Sequence, residues 1–283
     1  MNRTRCIVAA SAALSPFVLA PAAAQTGPAG LYLSVADNVG TEIVQGPYTD
    51  EDVILTDAAG SSSSLFFSID AGDLDAFHIL PNGNYLLSSL FNGVVGADNF
   101  QDADLVEYDP VAGSVVGNYL GLGEGSFTST AADVDAATTD AAGNLYFSAL
   151  GSVNVLTHTG GSLTFTDGDI VRLDAATGVA SIFVTEGDLF DDGDGDVYGL
   201  HWNGDGTLLV TTNEDESISG SSFLDGDVFI YDPALDTASP FFSESSFTST
   251  NTHDVDAVYF VVPAPASAAL LGLGGLTALR RRR

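Results

Sequence analysis

Pairs of aspartates separated by one residue recur along the chain, and they are the side chains best suited to chemistry. A signature D-x-(D/Y)-(A/G) recurs at intervals of about 60 residues, at Asp73–Ala76, Asp133–Ala136, Asp196–Gly199 and Asp254–Ala257. Four further pairs precede apolar runs, at Asp50/Asp52, Asp102/Asp104, Asp167/Asp169 and Asp225/Asp227. Carboxylate oxygens at this spacing are ligands that Ca²⁺ accepts readily. Aspartates also cap β-turns by accepting hydrogen bonds from backbone N–H groups, so both interpretations stay open.

The densest acidic run predicts a calcium site, and it contains Asp188, Asp191, Asp192, Asp194 and Asp196. Counted from Asp192, the run resembles the D-x-D-x-D start of an EF-hand loop. Val197 stands where that loop needs glycine and Asn203 where it needs a bidentate glutamate, so an EF-hand is excluded. What remains is a looser Ca²⁺ site, of the weak kind (Kd about 10⁻⁴–10⁻³ M) that extracellular modules use.

Residues for catalysis are scarce, and we assign none. The chain has four histidines, His78, His158, His201 and His253. His78 and His201 follow the signature at the same position in two copies, which favours packing over a shared site at a common axis. His253 and His201 with Asp254 and Asp256 form the one conceivable transition-metal set. No H-x-x-x-H or G-x-S-x-G motif accompanies them.

The spacing of the signature indicates the elements that must position these side chains. Successive copies start 60, 63 and 58 residues apart, and the first three are followed by a turn glycine at Gly83, Gly143 and Gly206. In the clearest copy the alternation predicts four short strands, over Ala76–Leu80, Asn84–Ser88, Asp104–Tyr108 and Ser114–Tyr119. Four-stranded meanders that repeat at about this length are typical of the blades of a β-propeller.

The register of the repeats predicts a closed ring. The sequence between the terminal segments begins with a second strand, at Gly30–Ser34, and ends with a first strand inside Asp254–Phe260. We therefore predict an all-β, four-bladed β-propeller-like domain over residues 25–262. Its repeats span about 30–72, 73–132, 133–195 and 196–253, and the segment 254–260 completes the first blade. An open solenoid or a larger ring made of two chains are the alternatives.

Residues 1–24 have the pattern of a secretory signal peptide. Arg3 and Arg5 precede an apolar run, and the small-residue stretch at Ala22 and Ala24 predicts cleavage before Gln25. The apolar run is short for a membrane span. The only cysteine, Cys6, lies in this segment, so no disulfide is predicted in the mature protein.

Residues 263–283 form a second removable segment. A short proline-containing motif comes first and consists of Val262, Pro263, Pro265, Ala266 and Ser267. It is followed by an apolar run at Ala268–Leu279 and by a basic cluster of Arg280, Arg281, Arg282 and Arg283. This order resembles the PEP-CTERM sorting signal of Gram-negative bacteria, although Ala264 replaces the usual glutamate. The resemblance implies processing by an exosortase-type enzyme, transient contact with the inner membrane through the C-terminal helix, and delivery to the cell surface or extracellular matrix.

The charge of the central region excludes several partners. All 38 acidic residues lie between the two terminal segments. The only basic residue in the same region is Arg172, since the chain has no lysine, so the region has a formal charge of about −37. Such a surface repels nucleic acid, since phosphates are neutralised by lysine and arginine. Self-repulsion at this density opposes folding unless cations screen it or bind to it.

The repeats also resemble a loosely defined group of secreted bacterial proteins whose activity is largely unassigned, so this resemblance implies a fold and not an activity. Two functions follow as expectations. The first is a non-enzymatic surface or matrix propeller, with or without bound Ca²⁺, that binds a surface polysaccharide or surface protein or acts as a spacer. The second is a metal-dependent propeller hydrolase or lactonase.

Overall fold

The computed structural model describes residues 28–36, 48–57, 59–120, 127–128, 133–247 and 254–262. The segments 1–24 and 263–283, for which we predict export and sorting signals, lie outside the described residues, as does His253. Within the described ranges, no helix combines the length and apolar character that crossing a membrane would require.

The described chain is almost entirely β-structure. The first two units contain the strands β1 (Gly30–Ser34), β2 (Asp52–Thr56), β3 (Ser63–Ser68), β4 (Ala76–Ile79), β5 (Tyr85–Ser88), β6 (Gly93–Val95), β7 (Asp98–Phe100), β8 (Leu105–Asp109) and β9 (Ser114–Leu120). The third unit contains β10 (Asp133–Thr139), β11 (Leu145–Leu150), β12 (Asn154–His158), β13 (Gly161–Phe165), β14 (Ile170–Leu173) and β15 (Ala180–Val184).

A single α-helical turn, α1 (Glu186–Leu189), leads into the fourth unit. That unit contains β16 (Val197–Trp202), β17 (Leu208–Thr212), β18 (Glu216–Ile218), β19 (Ser221–Phe223), β20 (Val228–Asp232) and β21 (Thr237–Phe242). A 3₁₀ turn at Glu244–Ser246 and the last strand, β22 (Ala257–Val261), follow.

These strands form four antiparallel four-stranded sheets, which are the blades of a β-propeller. Their strand orders are β22-β1-β2-β3 in blade 1, β4-β5-β8-β9 in blade 2, β10-β11-β14-β15 in blade 3 and β16-β17-β20-β21 in blade 4. The first strands of the blades contact one another in sequence, and β22 contacts β4, so that the ring closes around an axis. The predicted four-bladed propeller is confirmed.

Ring closure follows the predicted register. β22 pairs antiparallel with β1 along the whole length of both strands, from Gly30 opposite Val261 to Ser34 opposite Ala257. The C-terminal strand therefore occupies the inner position that the first repeat lacks. The pairing covers an edge that would otherwise present free backbone N–H and C=O groups.

The core is divided among the four contacts between blades. Each of four buried apolar clusters contains residues from two neighbouring blades. Leu86 packs toward blade 3 and its neighbour Leu87 toward blade 1, since successive side chains of a strand point to opposite faces. The inner strands are accordingly buried at consecutive positions, because both faces of each blade are covered.

Blades 2, 3 and 4 carry an additional hairpin between their second and third strands, which the sequence did not predict. The hairpins are β6–β7, β12–β13 and β18–β19, and each is a separate two-stranded sheet. Four of these six strands have only three residues, as in Asp98–Phe100 and Ser221–Phe223. Such segments lack the period-2 apolar alternation on which strand prediction depends.

Candidate metal centre

The D-x-(D/Y) residues converge at one end of the propeller axis. Each copy lies at the N-terminal end of an inner strand, before or at the start of β4, β10, β16 and β22. Because these four strands surround the axis, their N-terminal residues meet at one opening. We call the group Asp73, Asp75, Asp133, Asp135 and Asp256 the axial carboxylates.

The axial carboxylates form two triads that share one member. One oxygen each from Asp73, Asp75 and Asp256 lie within 4.8 Å of one another, and so do oxygens from Asp75, Asp133 and Asp135. Ligand oxygens at about 2.3–2.6 Å from one Ca²⁺ cannot be more than about 5 Å apart. Both triads therefore have a spacing that fits a single hard cation.

The axial carboxylates are deeply buried. Each is at most 6% exposed. The only arginine or lysine among the described residues, Arg172, pairs instead with Asp174 at 2.8 Å. Asp75 Oδ2, Asp133 Oδ1 and Asp135 Oδ2 accept no hydrogen bond from any described residue. Burial of an ionised carboxylate without a counter-charge costs several kcal/mol at least, so this group requires protons or a cation.

The pKa values of these groups reflect the cost of burying their negative charges. Burial, followed by the charges of Asp133, Asp135, Asp256 and Asp73, raises the pKa of Asp75 well above its usual range. Burial and, less strongly, Asp102 raise the pKa of Asp133 to about 8. The pKa values of Asp135 and Asp256 are also well above the usual range, chiefly through burial.

Blade 4 breaks the symmetry of the cluster. Its signature has Tyr198 at the position of the second aspartate, and its first aspartate, Asp196, is buried. Burial and the charges of Asp135, Asp196 and Asp75 raise the pKa of Tyr198 above its ordinary value, so the phenol stays protonated beside the carboxylates. Burial and Asp167 raise the pKa of Asp196 to about 7.

Further along the axis lies a layer formed by one residue from each blade, namely His78, Thr138, His201 and Tyr259. The ring centroids of His78 and His201 are 6.3 Å apart, and Tyr259 packs edge-on against both at 5.1 and 4.8 Å. His78 is hydrogen-bonded to the hydroxyls of Thr139, at 2.8 Å, and Thr138, at 3.2 Å. Both histidines therefore lie at the axis, where they pack against each other and against Tyr259.

The second set of aspartate pairs, which precedes the third strand of each blade, has a different role. The second aspartate of each pair accepts a hydrogen bond from the backbone N–H three residues earlier, at 2.9–3.1 Å. These acceptors are Asp52, Asp104, Asp169 and Asp227. This set therefore caps turns, whereas the axial carboxylates do not follow that pattern.

The acidic run of the predicted calcium site is dispersed. Asp188 accepts from Thr185 Oγ1 at the start of α1, and Asp191 accepts from Ser217 Oγ and Gly220 N. Asp192 and Asp194 are exposed, and only Asp196 turns into the interior. Neither carboxylate triad of the described residues includes any member of this run. A calcium site on this run stays a prediction.

The signal that identifies the axial carboxylates is their position in the repeat, since residues at the start of an inner strand must approach the axis. Beyond the cluster, Trp202 stacks on Tyr146 with ring centroids 4.8 Å apart. That contact is part of the packing between blades 3 and 4.

Comparisons with known proteins yield only distant similarities. No family model and no curated protein matches the chain. Among solved structures, the chain is similar to one in a nidogen/laminin complex, with 10% identity, TM-score 0.38, and 82% of this chain and 85% of that chain covered. A streptogramin B lyase structure matches with 10% identity, TM-score 0.37 and coverage of 85% and 93%. The Dos1 propeller matches with 14% identity, TM-score 0.28 and coverage of 75% and 48%. At these scores the similarities carry no information about activity or ligand.

Proposed function

We propose that this protein is an exported, non-enzymatic β-propeller of the cell surface or extracellular matrix of a Gram-negative bacterium, stabilised by Ca²⁺ at its axial carboxylates. The observation that carries the proposal is the group of five buried aspartates, in which Asp75, Asp133 and Asp135 each have an oxygen that accepts no hydrogen bond from the described residues. A divalent cation supplies the missing charge, and carboxylate oxygens are its preferred ligands. The ligand of the propeller is a surface polysaccharide or a surface protein.

The composition supports a location outside the cell. A formal charge of about −37, from 38 acidic residues against Arg172, needs cations for screening or binding. Extracellular modules bind Ca²⁺ with Kd values of about 10⁻⁴–10⁻³ M, which suits a compartment where the ion is abundant. The signal-like segments 1–24 and 263–283 agree with this location.

Thermal unfolding of the full-length chain tests the calcium part of the proposal. Samples contain EDTA, about 5 mM CaCl₂, or NaCl at the same ionic strength as the calcium sample. If Kd lies in the range above, Ca²⁺ adds about 1–3 kcal/mol to the free energy of unfolding by binding the native state alone. For a domain of this size each 1 kcal/mol raises the melting temperature by about 2–4 °C, so the expected rise is about 2–12 °C.

The matched NaCl sample is the control for screening. If NaCl raises the melting temperature as much as Ca²⁺ does, the carboxylates bind no specific ion and the calcium proposal is wrong. If Ca²⁺ alone acts, a variant outside the axis should respond as the wild type does. Asp57→Asn is suitable, because Asp57 is exposed, lies outside both acidic clusters and accepts local hydrogen bonds from Ala59 N and Ser61 N.

Export and sorting are tested in cells that produce the protein. We propose that an exosortase-type enzyme removes the segment after Val262 and that the remaining chain reaches the surface. Protein carrying an epitope in the exposed turn at Gly204 should be labelled on intact cells. Replacement of Arg280–Arg283 by glutamine should leave it at the inner membrane or secrete it unprocessed. Intracellular soluble protein in the unmodified strain would contradict the proposal.

The alternative is a metal-dependent hydrolase or lactonase, for which a cation at an axial opening is a reasonable starting point. A bound cation can polarise a carbonyl or phosphoryl oxygen. Calcium-dependent turnover of lactones, carboxylic esters or phosphoesters that is lost on Asp75→Asn would favour this alternative. Calcium stabilisation without turnover would favour the binding or structural role.

A further inference from the structure

We infer that the axial opening binds two divalent cations, which share Asp75 as a bridging ligand and join the inner strands of blades 1, 2 and 3. The inference rests on the proposed cation-binding function and adds the number of ions, their ligands and the strands that they connect. Its basis is the overlap of the two carboxylate triads at Asp75.

The two triads follow one geometric rule. Each combines both aspartates of one blade's signature with the second aspartate of the preceding blade in the ring. Asp73 and Asp75 of blade 2 are completed by Asp256 of blade 1, and Asp133 and Asp135 of blade 3 are completed by Asp75 of blade 2. A rule that repeats with the blades indicates two equivalent sites rather than one irregular cluster.

Blade 4 explains why two of the four possible sites are complete. Tyr198 replaces the second aspartate there. The site between blades 3 and 4 therefore lacks one of its own carboxylates, and the site between blades 4 and 1 lacks the carboxylate of the preceding blade. Among the described residues, the triads found are the two that do not need residue 198.

Charge also favours two ions over one. The five axial carboxylates carry a charge of −5 when ionised, since they are all aspartates. One divalent ion would leave −3 in this buried group, and two leave −1. Unpartnered oxygens occur in both halves of the cluster, because Asp75 belongs to both triads and Asp133 and Asp135 to the second. Each of these three side chains is at least nine-tenths buried.

The ions would act as cross-links between blades. The first site connects Asp256, directly before the closing strand β22, to Asp75, directly before β4. The second connects Asp75 to Asp135 in β10. Cation binding at both would hold the closing strand to the next two inner strands, so that ring closure becomes linked to the ion.

Equilibrium dialysis of the full-length chain against radioactive Ca²⁺ measures the number of ions directly. The buffer contains about 0.15 M KCl, which screens weakly held surface ions. We expect two Ca²⁺ per wild-type chain. Asp256→Asn should leave one, Asp135→Asn should leave one, and Asp75→Asn should abolish both. The exposed control Asp57→Asn should bind two.

The number of bound ions tests the bridged pair separately from calcium binding itself. One ion per wild-type chain overturns the bridged pair but keeps the calcium-binding function, and no ion overturns both. Retention of one ion by Asp75→Asn shows that Asp75 is not shared. If Asp75→Asn does not fold, as judged by circular dichroism, the two single-site variants decide: unless both fall from two ions to one, the inference is wrong.

Discussion

At the scale of single residues, aspartate has at least two distinct roles in this protein, and position in the blade decides which. Asp169 accepts hydrogen bonds from Thr166 N at 2.9 Å and from Glu186 N at 2.8 Å, so backbone N–H groups stabilise its negative charge. Asp135 is equally buried, but its Oδ2 has no donor among the described residues. A carboxylate of the first kind fixes a turn, and one of the second kind requires a bound proton or cation.

His78 shows how the axis constrains a titratable side chain. Burial lowers the pKa of His78 from 6.5 to about 3. The titratable neighbours that pack against it are His201 and Tyr259, and the pKa of His201 is lowered as well, first by burial. The native state therefore binds fewer protons than the unfolded chain between about pH 6.5 and pH 3. His78 favours folding above that window, and this contribution is lost as the pH falls through it.

We predict that His78→Gln loses less stability on acidification than the wild type. Glutamine can bond the nearby threonine hydroxyls but does not titrate. The difference in free energy of unfolding between wild type and variant should shift by about 1 kcal/mol per pH unit below pH 6. Urea unfolding at pH 7, 6, 5 and 4 in EDTA measures it, with His158→Gln, on the partly exposed strand β12, as control. A difference that does not change with pH would contradict the burial of a neutral His78.

At the scale of secondary-structure elements, the contact between the first and second strands of each blade uses a matched pair of small residues. Alanine faces serine in three blades, as Ala76–Ser88, Ala136–Ser148 and Ala257–Ser34. In blade 4 the pair is Gly199–Thr211. A Cβ at residue 199 would lie 2.4 Å from Thr211 Oγ1 and 3.2 Å from Val258 Cγ1. The larger threonine is therefore accommodated by glycine.

We predict that Gly199→Ala destabilises the protein by about 1–3 kcal/mol, because it overfills this contact with the closing strand. Thr211→Ser alone should cost no more than about 1 kcal/mol. The double variant Gly199→Ala/Thr211→Ser recreates the pair found in the other blades and should regain most of the loss. Chemical denaturation of all four proteins measures the coupling between the two positions. Additive effects would show that the two residues do not compete for space.

The sequence predicted the elements of the blades more reliably than their insertions. The strands predicted in the clearest copy agree with β4, β5, β8 and β9 to within one residue at each end. Both faces of each blade are packed, so the apolar runs are strong and Gly83, with φ +90°, marks the turn between them. The additional hairpins and the axial convergence depend on contacts between distant segments, which local patterns do not encode.

At the scale of the whole molecule, ring closure brings the ends of the propeller together. Gly30 lies opposite Val261, so the chain enters and leaves at one edge of blade 1. The four apolar clusters each need two blades, so that no blade has a complete core of its own. Stability therefore depends on the integrity of the ring more than on the point at which the chain is interrupted.

We predict that a circular permutant will fold. The permutant joins Val262 to Pro28 through a short Gly/Ser linker and opens between Gly204 and Asp205, which are exposed. The free energy of unfolding should fall by no more than about 2 kcal/mol, because a short flexible closure costs little. A permutant opened between Ala136 and Ala137, inside the inner strand β10, should not fold. Failure of both permutants, with the linear chain intact, would contradict a closed ring.

The antiparallel pairing of β1 with β22 also determines how the protein would respond to mechanical force. The first residue of β1 and the last residue of β22 are partners, so tension applied across the two ends of the propeller would load their hydrogen bonds one after another. This geometry peels strands apart instead of shearing them. A propeller attached at one end only would bear none of this tension, whereas one stretched between two attachment points would open at blade 1 first.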